Sequence, residues 1–306
     1  MDTLVDQTLR EIEIILVLDC PTDGTDKIAK KYAENDERIV ILENSENLHI
    51  GETRNRGLEI ARGEYIGFSD HDDYRELTMY QAIYDVAEKE KCEILLGNMK
   101  LVGDKYRENS YPNLPENELK DTALINLLEG GDDKTFSPYA VNLQPNLYRR
   151  DFLEKHKIRF VDTKIITPED LIFQVKCLFL AEKVSLYKPH LYYHTVHTNN
   201  EGDSAHYVNY LQTSKGKVEI YDFLVKQNGY EKYQKAFLKG VKKLFADTFL
   251  SEIIITKNFK KSIKAYRFLR SLPFTKAAFR KSRYSLERFR IFGKINRRIV
   301  FFLMQF

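Results

Sequence analysis

Gly63-Glu64-Tyr65-Ile66-Gly67-Phe68-Ser69-Asp70-His71-Asp72-Asp73 is the stretch on which the reading of this 306-residue chain turns. Its first half carries Tyr65, Ile66 and Phe68, the aromatic and β-branched types that favour a strand. Its second half crowds three carboxylates into four residues. Their mutual repulsion is tolerable in a solvated loop or around a bound cation. Asp and Ser also gather in ordinary turns, so the segment alone leaves both readings open. Its neighbours decide between them.

Upstream, Asp2 to Leu9 predicts a short helix. The apolar run Ile14-Ile15-Leu16-Val17, within Glu11 to Asp19, predicts a strand buried on both faces. Cys20 to Gly24 reads as a turn, with Thr22 or Asp23 placed to cap a helix running to about Glu34. A strand is expected over Arg38 to Leu42, then a loop from Asn44 to Gly51 and a helix carrying Thr53, Leu58, Ile60 and Ala61. Beyond the acidic turn, Met79, Ala82, Ile83, Val86 and Ala87 recur at helical spacing, and Glu93 to Leu96 returns to strand. Four alternations of strand and helix imply an α/β fold with a mostly parallel sheet and helices on both faces. Ligands of such sheets lie beyond the carboxyl ends of the strands. Asp19 and Asp70-His71-Asp72 should therefore open onto one edge.

Composition agrees with a folded domain: 43% of residues are hydrophobic and 12% aromatic, enough for a sizeable core. Cys20, Cys92 and Cys177 lie far apart with no CxxC pairing, which fits a reducing cytoplasm better than a disulfide framework or a zinc site. The N-terminal stretch is polar and lacks the apolar core of a secretory signal. Charge is unevenly spread. From Lys257 to the end there are fifteen Lys or Arg against Glu287 alone, so the overall +3 leaves −11 on the other 256 residues. A basic tail on an acidic body implies an anionic partner.

Four segments, taken together and in this order, resemble the inverting family 2 glycosyltransferases of the GT-A fold. Gln7-Thr8 through Val17-Leu18-Asp19-Cys20-Pro21-Thr22-Asp23-Gly24-Thr25 is similar to that family's QT…VVDDGSTDGT segment, with Leu18 for the first acid. Asn47 to Gly57 is similar to its N-x-G-x-x-x-ARN-x-G loop, with His49 and Thr53 as departures. Gly63 to Asp73 resembles GEYI-x-F-x-DxDD, and Pro168-Glu169-Asp170-Leu171 the later ED motif. Tyr148 to Leu153 and Leu191-Tyr192-Tyr193-His194 match further landmarks. The family opens on a strand of the type VSVIIPVYN, and this chain is expected to start in the helix that follows it.

The resemblance implies an N-terminally incomplete GT-A-like glycosyltransferase domain over residues 1–210, containing a Rossmann-like nucleotide-sugar-binding half, followed by a helical C-terminal region with a basic amphipathic tail over 211–306. It implies that Asp19 contacts the uracil or ribose of a nucleotide-sugar donor and that Arg54 lies near its phosphates. Asp70 and Asp72 would form the DxD, with Asp72 the direct ligand of Mg²⁺ or Mn²⁺, Asp70 nearer the ribose, and His194 a further candidate ligand. Asp170, with Glu169 beside it, would be the general base. The residue types suit the chemistry. A hard cation takes one or two carboxylates plus substrate phosphates, and a carboxylate opposite the leaving group takes the proton of the attacking hydroxyl.

The remaining features divide between function and plain structure. His197, like His194, is a candidate for completing a metal shell, the Asn199 to His206 loop for folding over a donor and Ser204 for touching its diphosphate, against surface or hydrogen-bonded positions. Cys20 reads as a small packing residue rather than a nucleophile. Gly130-Gly131-Asp132-Asp133 reads as a solvated loop, and Tyr111, Tyr139 and Asn142 are sugar-binding types in the least legible region. Phe292, Ile295, Ile299, Phe302, Leu303 and Phe306 form an apolar stripe opposite Lys294, Arg297 and Arg298. That pattern suits an interfacial helix on an anionic membrane, or a helix packed on the acidic body; no nucleic-acid motif accompanies the charge. The leading expectation is a metal-dependent inverting glycosyltransferase of cell-surface polysaccharide synthesis, cytoplasmic or peripheral on the inner face of the plasma membrane. Its acceptor would be a saccharide or lipid-linked saccharide. The rival is a catalytically inactive GT-A-like scaffold subunit, and a nucleotidyltransferase-like protein is a third.

Overall fold

A computed structural model describes residues 1–103, 107–109, 115–130, 143–195, 210–250, 267–268 and 270–279. Helix α1 spans Asp2–Val5, and β1 (Ile14–Leu18) pairs in parallel with β2 (Ile39–Glu43), Ile14 opposite Ile39. Between them lies α2 (Thr25–Asn35), entered through Gly24 at φ 89°, with the Asp23 carboxylate accepting the Thr25 N–H at 3.0 Å. Only Ile14 and Leu18 of β1 are buried; Ile15, Leu16 and Val17 are half-buried, so the expected burial on both faces is incomplete.

Next come α3 (His49–Ile60) and β3 (Tyr65–Gly67), then the two-residue strand β4 (Tyr74–Arg75), α4 (Met79–Glu90) and β5 (Ile94–Val102). After β6 (Arg107–Asn109) and α5 (Glu116–Glu129) come β7 (Leu147–Arg149), α6 (Arg150–Lys155), α7 (Glu169–Leu180) and β8 (Val184–Thr195). Helices α8 (Tyr210–Lys226), α9 (Tyr230–Leu250) and α10 (Thr275–Phe279) follow.

The second sheet runs β3-β7-β5-β8-β4, with β6 also on β5. The α/β reading holds, but the sheet is mixed where a mostly parallel one was expected. Among the described residues only β1–β2 and β5–β8 are parallel; β3–β7, β5–β7, β5–β6 and β4–β8 are antiparallel. The strand-helix alternation reports only on the first hundred residues. The chain later returns through β7 in the opposite sense between β3 and β5.

Helices cover both faces. Leu95, Met99 and Leu101 of β5 join Met79, Ile83 and Ala87 of α4 in one apolar cluster. Ile94 and Leu96, pointing the other way, join a larger cluster built from α5, α7, α8 and α9. The helices after residue 210 thus share the sheet's core: Leu224, Phe237 and Phe173 belong to one cluster. Two close approaches seat the loops that matter for the site. A Cβ on Gly97 would meet the Pro145 carbonyl at 2.1 Å, and one on Gly51 would meet the Val161 carbonyl at 2.2 Å. Only glycine lets the 143–146 loop lie on β5 and the 158–163 segment lie on α3. The basic stripe at 292–306, His197, Ser204, Tyr111, Tyr139, Asn142 and the 131–133 turn lie outside the described residues.

Candidate active site

Helix α3 buries Gly51, Asn55 and Leu58 at four- and three-residue intervals, which turns that face to the core. The Asn55 amide fixes it there. Its Nδ2 donates to the Phe160 carbonyl at 3.0 Å, and its Oδ1 accepts the Phe160 N–H at 2.8 Å. Arg54 then projects beside this seam, with its guanidinium carbon 5.4 Å from the centre of the Phe160 ring.

Helix α7 supplies the facing carboxylates. Leu171, Ile172, Phe173, Val175, Cys177 and Leu178 draw its body into the core, which leaves Glu169 and Asp170 on the first turn at the rim. Acidic residues are favoured there by the helix dipole. One Arg54 nitrogen bonds Asp170 and reaches Glu169 at 3.3 Å; the other reaches Asp70 at 3.3 Å. Three of the predicted site residues therefore meet on the guanidinium of a fourth, which joins the acidic turn after β3 to the start of α7. Burial is the largest influence on Asp170 and pushes its pKa well above the usual carboxylate range. Arg54 opposes the rise and the neighbouring Glu169 adds to it.

Asp19 sits at the end of β1 and holds the mouth of α3. Its Oδ1 accepts the Asn44 side chain at 2.8 Å and the Leu48 N–H at 2.7 Å, and its Oδ2 accepts the His49 N–H at 2.9 Å. Burial raises its pKa, but the Asn44, Leu48 and His49 bonds together outweigh this and the net shift is downward. Both oxygens thus serve the 44–49 loop, whose His49 takes φ 61°. Asp19 is not in the Arg54 cluster but fixes the helix that carries Arg54.

Within the acidic turn the three aspartates have different fates. Asp70 shares Oδ1 with Arg54 and accepts the Gln144 amide on Oδ2. Asp72 is exposed. Asp73, to which the sequence assigned no role, is buried and accepts three donors from β8: Tyr192 O–H at 2.6 Å, His194 Nδ1 at 3.1 Å and Thr195 N–H at 2.9 Å. Burial raises the Asp73 pKa most strongly, yet the His194, Tyr192 and Thr195 bonds prevail and lower it. The Asp73 hydrogen bond raises the pKa of His194. The same Tyr192 hydroxyl also lies 3.4 Å from the Asp70 N–H, and Arg75 ties Ser69 to the turn through a 2.8 Å bond. The Nδ1 of His194 is thereby turned onto Asp73.

Gln144 and Asp73 are the site residues that the sequence reading missed. For Asp73 the signal was present, because three crowded carboxylates require that the protein satisfy at least one of them. Gln144, 74 residues from its partner, carries no local signal. Among the described residues no group of three or more His, Cys, Asp or Glu side chains is arranged to hold a metal ion. Asp70 and the exposed Asp72 nonetheless bring two carboxylates, hard oxygen donors, to one turn. That fits a hard divalent cation completing its shell with water and substrate phosphates.

Comparison with known proteins bears on this geometry. The family model described as Glycosyl transferase family 2 matches residues 1–157. An uncharacterized glycosyltransferase of Bacillus subtilis, EpsJ, is 34% identical over 202 residues, covering 65% of this chain and 57% of EpsJ. The poly(ribitol-phosphate) beta-glucosyltransferase of Bacillus spizizenii is 30% identical over 212 residues, 68% of this chain and 31% of that protein. The chain thus spans about half or less of the length of these curated relatives. The crystal structure of Staphylococcus aureus TarS 1-349 with UDP-GlcNAc superposes with a TM-score of 0.53 at 21% identity, covering 88% of this chain and 84% of that one. A likeness at this identity concerns the fold.

Proposed function

This chain belongs to glycosyl transferase family 2, and from that premise we propose that it moves a sugar from a nucleotide-sugar donor, UDP-linked, onto a saccharide acceptor with inversion. The observation that carries the reading is the Arg54 guanidinium, held between Asp70 of the acidic turn and the Glu169-Asp170 pair. Side chains from three separate segments meet there, which supports reading them as the donor-side and acceptor-side groups of one site.

In this reading Asp170 takes the proton of the acceptor hydroxyl as its oxygen attacks the anomeric carbon. The bond from that carbon to the diphosphate breaks, and its electron pair leaves on the nucleoside diphosphate. The raised pKa of Asp170 makes it a stronger proton acceptor than an ordinary carboxylate, as a general base requires. Arg54 exchanges part of its carboxylate pairing for the donor's phosphates, a bidentate geometry that guanidinium favours. Asp19 orders the loop against which the nucleoside rests, and Glu169 holds Arg54 in place. Asp70 and Asp72 would hold Mg²⁺ or Mn²⁺, which when bound neutralises charge on the departing diphosphate.

The setting we infer is cell-surface polysaccharide synthesis at the cytoplasmic face of the membrane. The glucosyltransferase relative is named for a poly(ribitol-phosphate) acceptor, which supports a polymeric acceptor here. Among the described residues no helix is long and apolar enough to cross a membrane, so association would be peripheral, through the basic segment after Lys257. The test is donor hydrolysis. With Mn²⁺ and UDP-sugars the chain should release UDP slowly, and Asp72→Ala and Asp170→Ala should abolish release. If it binds no nucleotide at millimolar metal, the enzyme reading fails and the inactive scaffold takes its place.

A further inference from the structure

Gln144 reaches the acidic turn from a loop that is itself tied down. The Gly97 N–H donates to Asn146 Oδ1 at 2.9 Å, and the Asn146 N–H donates to the Leu143 carbonyl at 3.1 Å. The Pro145 carbonyl occupies the space that a Cβ on Gly97 would need. Leu143 and Asn146 are buried, and Gln144 between them is only 7% exposed. Its side chain is therefore aimed by the sheet rather than by a ligand.

The amide of that side chain has one anchor. Its Nε2 donates to Asp70 Oδ2. An ionised carboxylate only accepts hydrogen bonds, so the amide cannot be turned end for end, and its oxygen is the atom left over. Among the described residues Gln144 Oε1 meets no protein donor. Nor is it sealed in the core: the buried side-chain atoms without a partner belong to Arg38, Arg75, Glu88 and Gln174. A nearly buried side chain thus opens on a single unmet acceptor, beside the carboxylate that Arg54 also holds. An amide oxygen takes O–H or N–H groups and repels phosphate. It complements Arg54, which takes anions. A nucleotide-sugar offers both kinds of group, phosphates for the guanidinium and hydroxyls on its ribose and its sugar.

We propose that Gln144 is a specificity-determining residue for the donor: Asp70 holds its amide, and its Oε1 accepts a hydroxyl of the nucleotide-sugar. The inference rests on the nucleotide-sugar reading and deepens it. One side of Asp70 reads charge through Arg54, and the other reads a hydroxyl through Gln144. Such a site rejects an analogue that lacks the hydroxyl, because the oriented acceptor is then left unmet.

The experiment is calorimetric titration of the full chain, at fixed millimolar Mg²⁺, with UDP, 2′-deoxy-UDP, 3′-deoxy-UDP and UDP-glucose. In wild type, removing the recognised hydroxyl should weaken binding about 2- to 12-fold, the range for one neutral hydrogen bond. In Gln144→Leu, and in the unbranched Gln144→Met, the affinity ratio between ligands with and without that hydroxyl should fall to about 1. Freeing Asp70 adds a uniform loss to every ligand, and the ratio cancels it. A ratio lost for a deoxy-UDP assigns the hydroxyl to the ribose; a ratio lost only for UDP-glucose against UDP assigns it to the sugar. Ratios that stay at their wild-type values while all four ligands weaken equally make Gln144 a support for Asp70 alone and overturn the proposal. Equal binding of all four ligands by wild type overturns it without any variant. No nucleotide binding by wild type is a different result, since it brings down the nucleotide-sugar reading and this inference with it.

Discussion

Asp70 and Asp73 are three residues apart in one turn, yet they live in opposite electrostatic settings. Asp70 keeps 29% of its side chain exposed and shares a guanidinium with two carboxylates from another element. Asp73 keeps none exposed, and every oxygen is met by a donor from β8. The Arg54 cluster holds more negative groups than one cation satisfies, so an incoming diphosphate or metal can change its pairing. The Asp73 clamp has nothing left to exchange. A turn that must hold a ligand in fixed geometry needs both kinds of aspartate, one to respond and one to stay.

The largest test breaks the responsive side. Asp170→Asn keeps the size of the side chain and an oxygen for Arg54 but cannot take up a proton. Transfer should fall by about 10²- to 10⁴-fold, the range for loss of a general base, with the unfolding midpoint and nucleotide binding little changed. If turnover persists within tenfold of wild type, Asp170 is not the base. The cluster would then be structural, like the clamp.

The fixed side should answer in stability first. Asp73→Ala strips the acceptor from a buried tyrosine hydroxyl and a backbone N–H. Such orphaned groups cost on the order of 1–3 kcal/mol each, so a total near 3 kcal/mol should appear as a lower urea midpoint at unchanged slope. Asp73→Asn, which keeps one acceptor, should cost about half as much. Because Tyr192 also reaches the Asp70 amide, both variants should raise the donor KM more than they lower kcat. A stability cost without a change in KM would separate the clamp from the site.

Asn55 tests whether the responsive cluster has a fixed frame of its own. Its two bonds to Phe160 hold the 158–163 segment to α3 beside Arg54. Asn55→Ala should cost about 2 kcal/mol, the sum of two ordinary hydrogen bonds. It should also weaken nucleotide binding, readable by titration against wild type.

These contrasts also mark where the sequence could be read. Strands β1 to β3 and helices α2 and α4 follow from apolar spacing over ten residues or so, and all appear close to their expected bounds. Sheet direction does not follow from local spacing. It depends on β7 entering between β3 and β5, a pairing across some eighty residues that no periodicity records. Arg54 and Asp170, 116 residues apart, were each recognisable by motif, but nothing in either motif says that they touch. Asp73 was quoted with its turn and still missed, because a motif reads residue types, and its role depends on the register that sets Tyr192 and His194 beside it. Gln144 reached the site only through the Gly97 contact that lets Pro145 lie on β5.

A third setting completes the comparison: a buried charge beside which no carboxylate stands among the described residues. Lys217 on α8 is buried, and its Nζ donates to the Leu128 carbonyl at 3.3 Å near the end of α5. Burial, with a smaller contribution from Lys243, lowers its pKa to about 8. The unfolded chain, with an ordinary lysine near 10.5, holds a proton that the folded chain gives up between about pH 8 and 10.5. Stability should therefore rise with pH across that window, by about 1 kcal/mol per unit at its steepest. Lys217→Met has no proton to lose and should remove the rise, leaving a flatter curve of urea midpoint against pH. The rise surviving in Lys217→Met would assign it to another group. The Asp73 clamp cannot supply it, because the hydrogen bonds from β8 lower the Asp73 pKa and its proton is released far below this range. Lys217, buried and bonded to a carbonyl, is thus a charge whose loss of a proton favours the folded chain as pH rises.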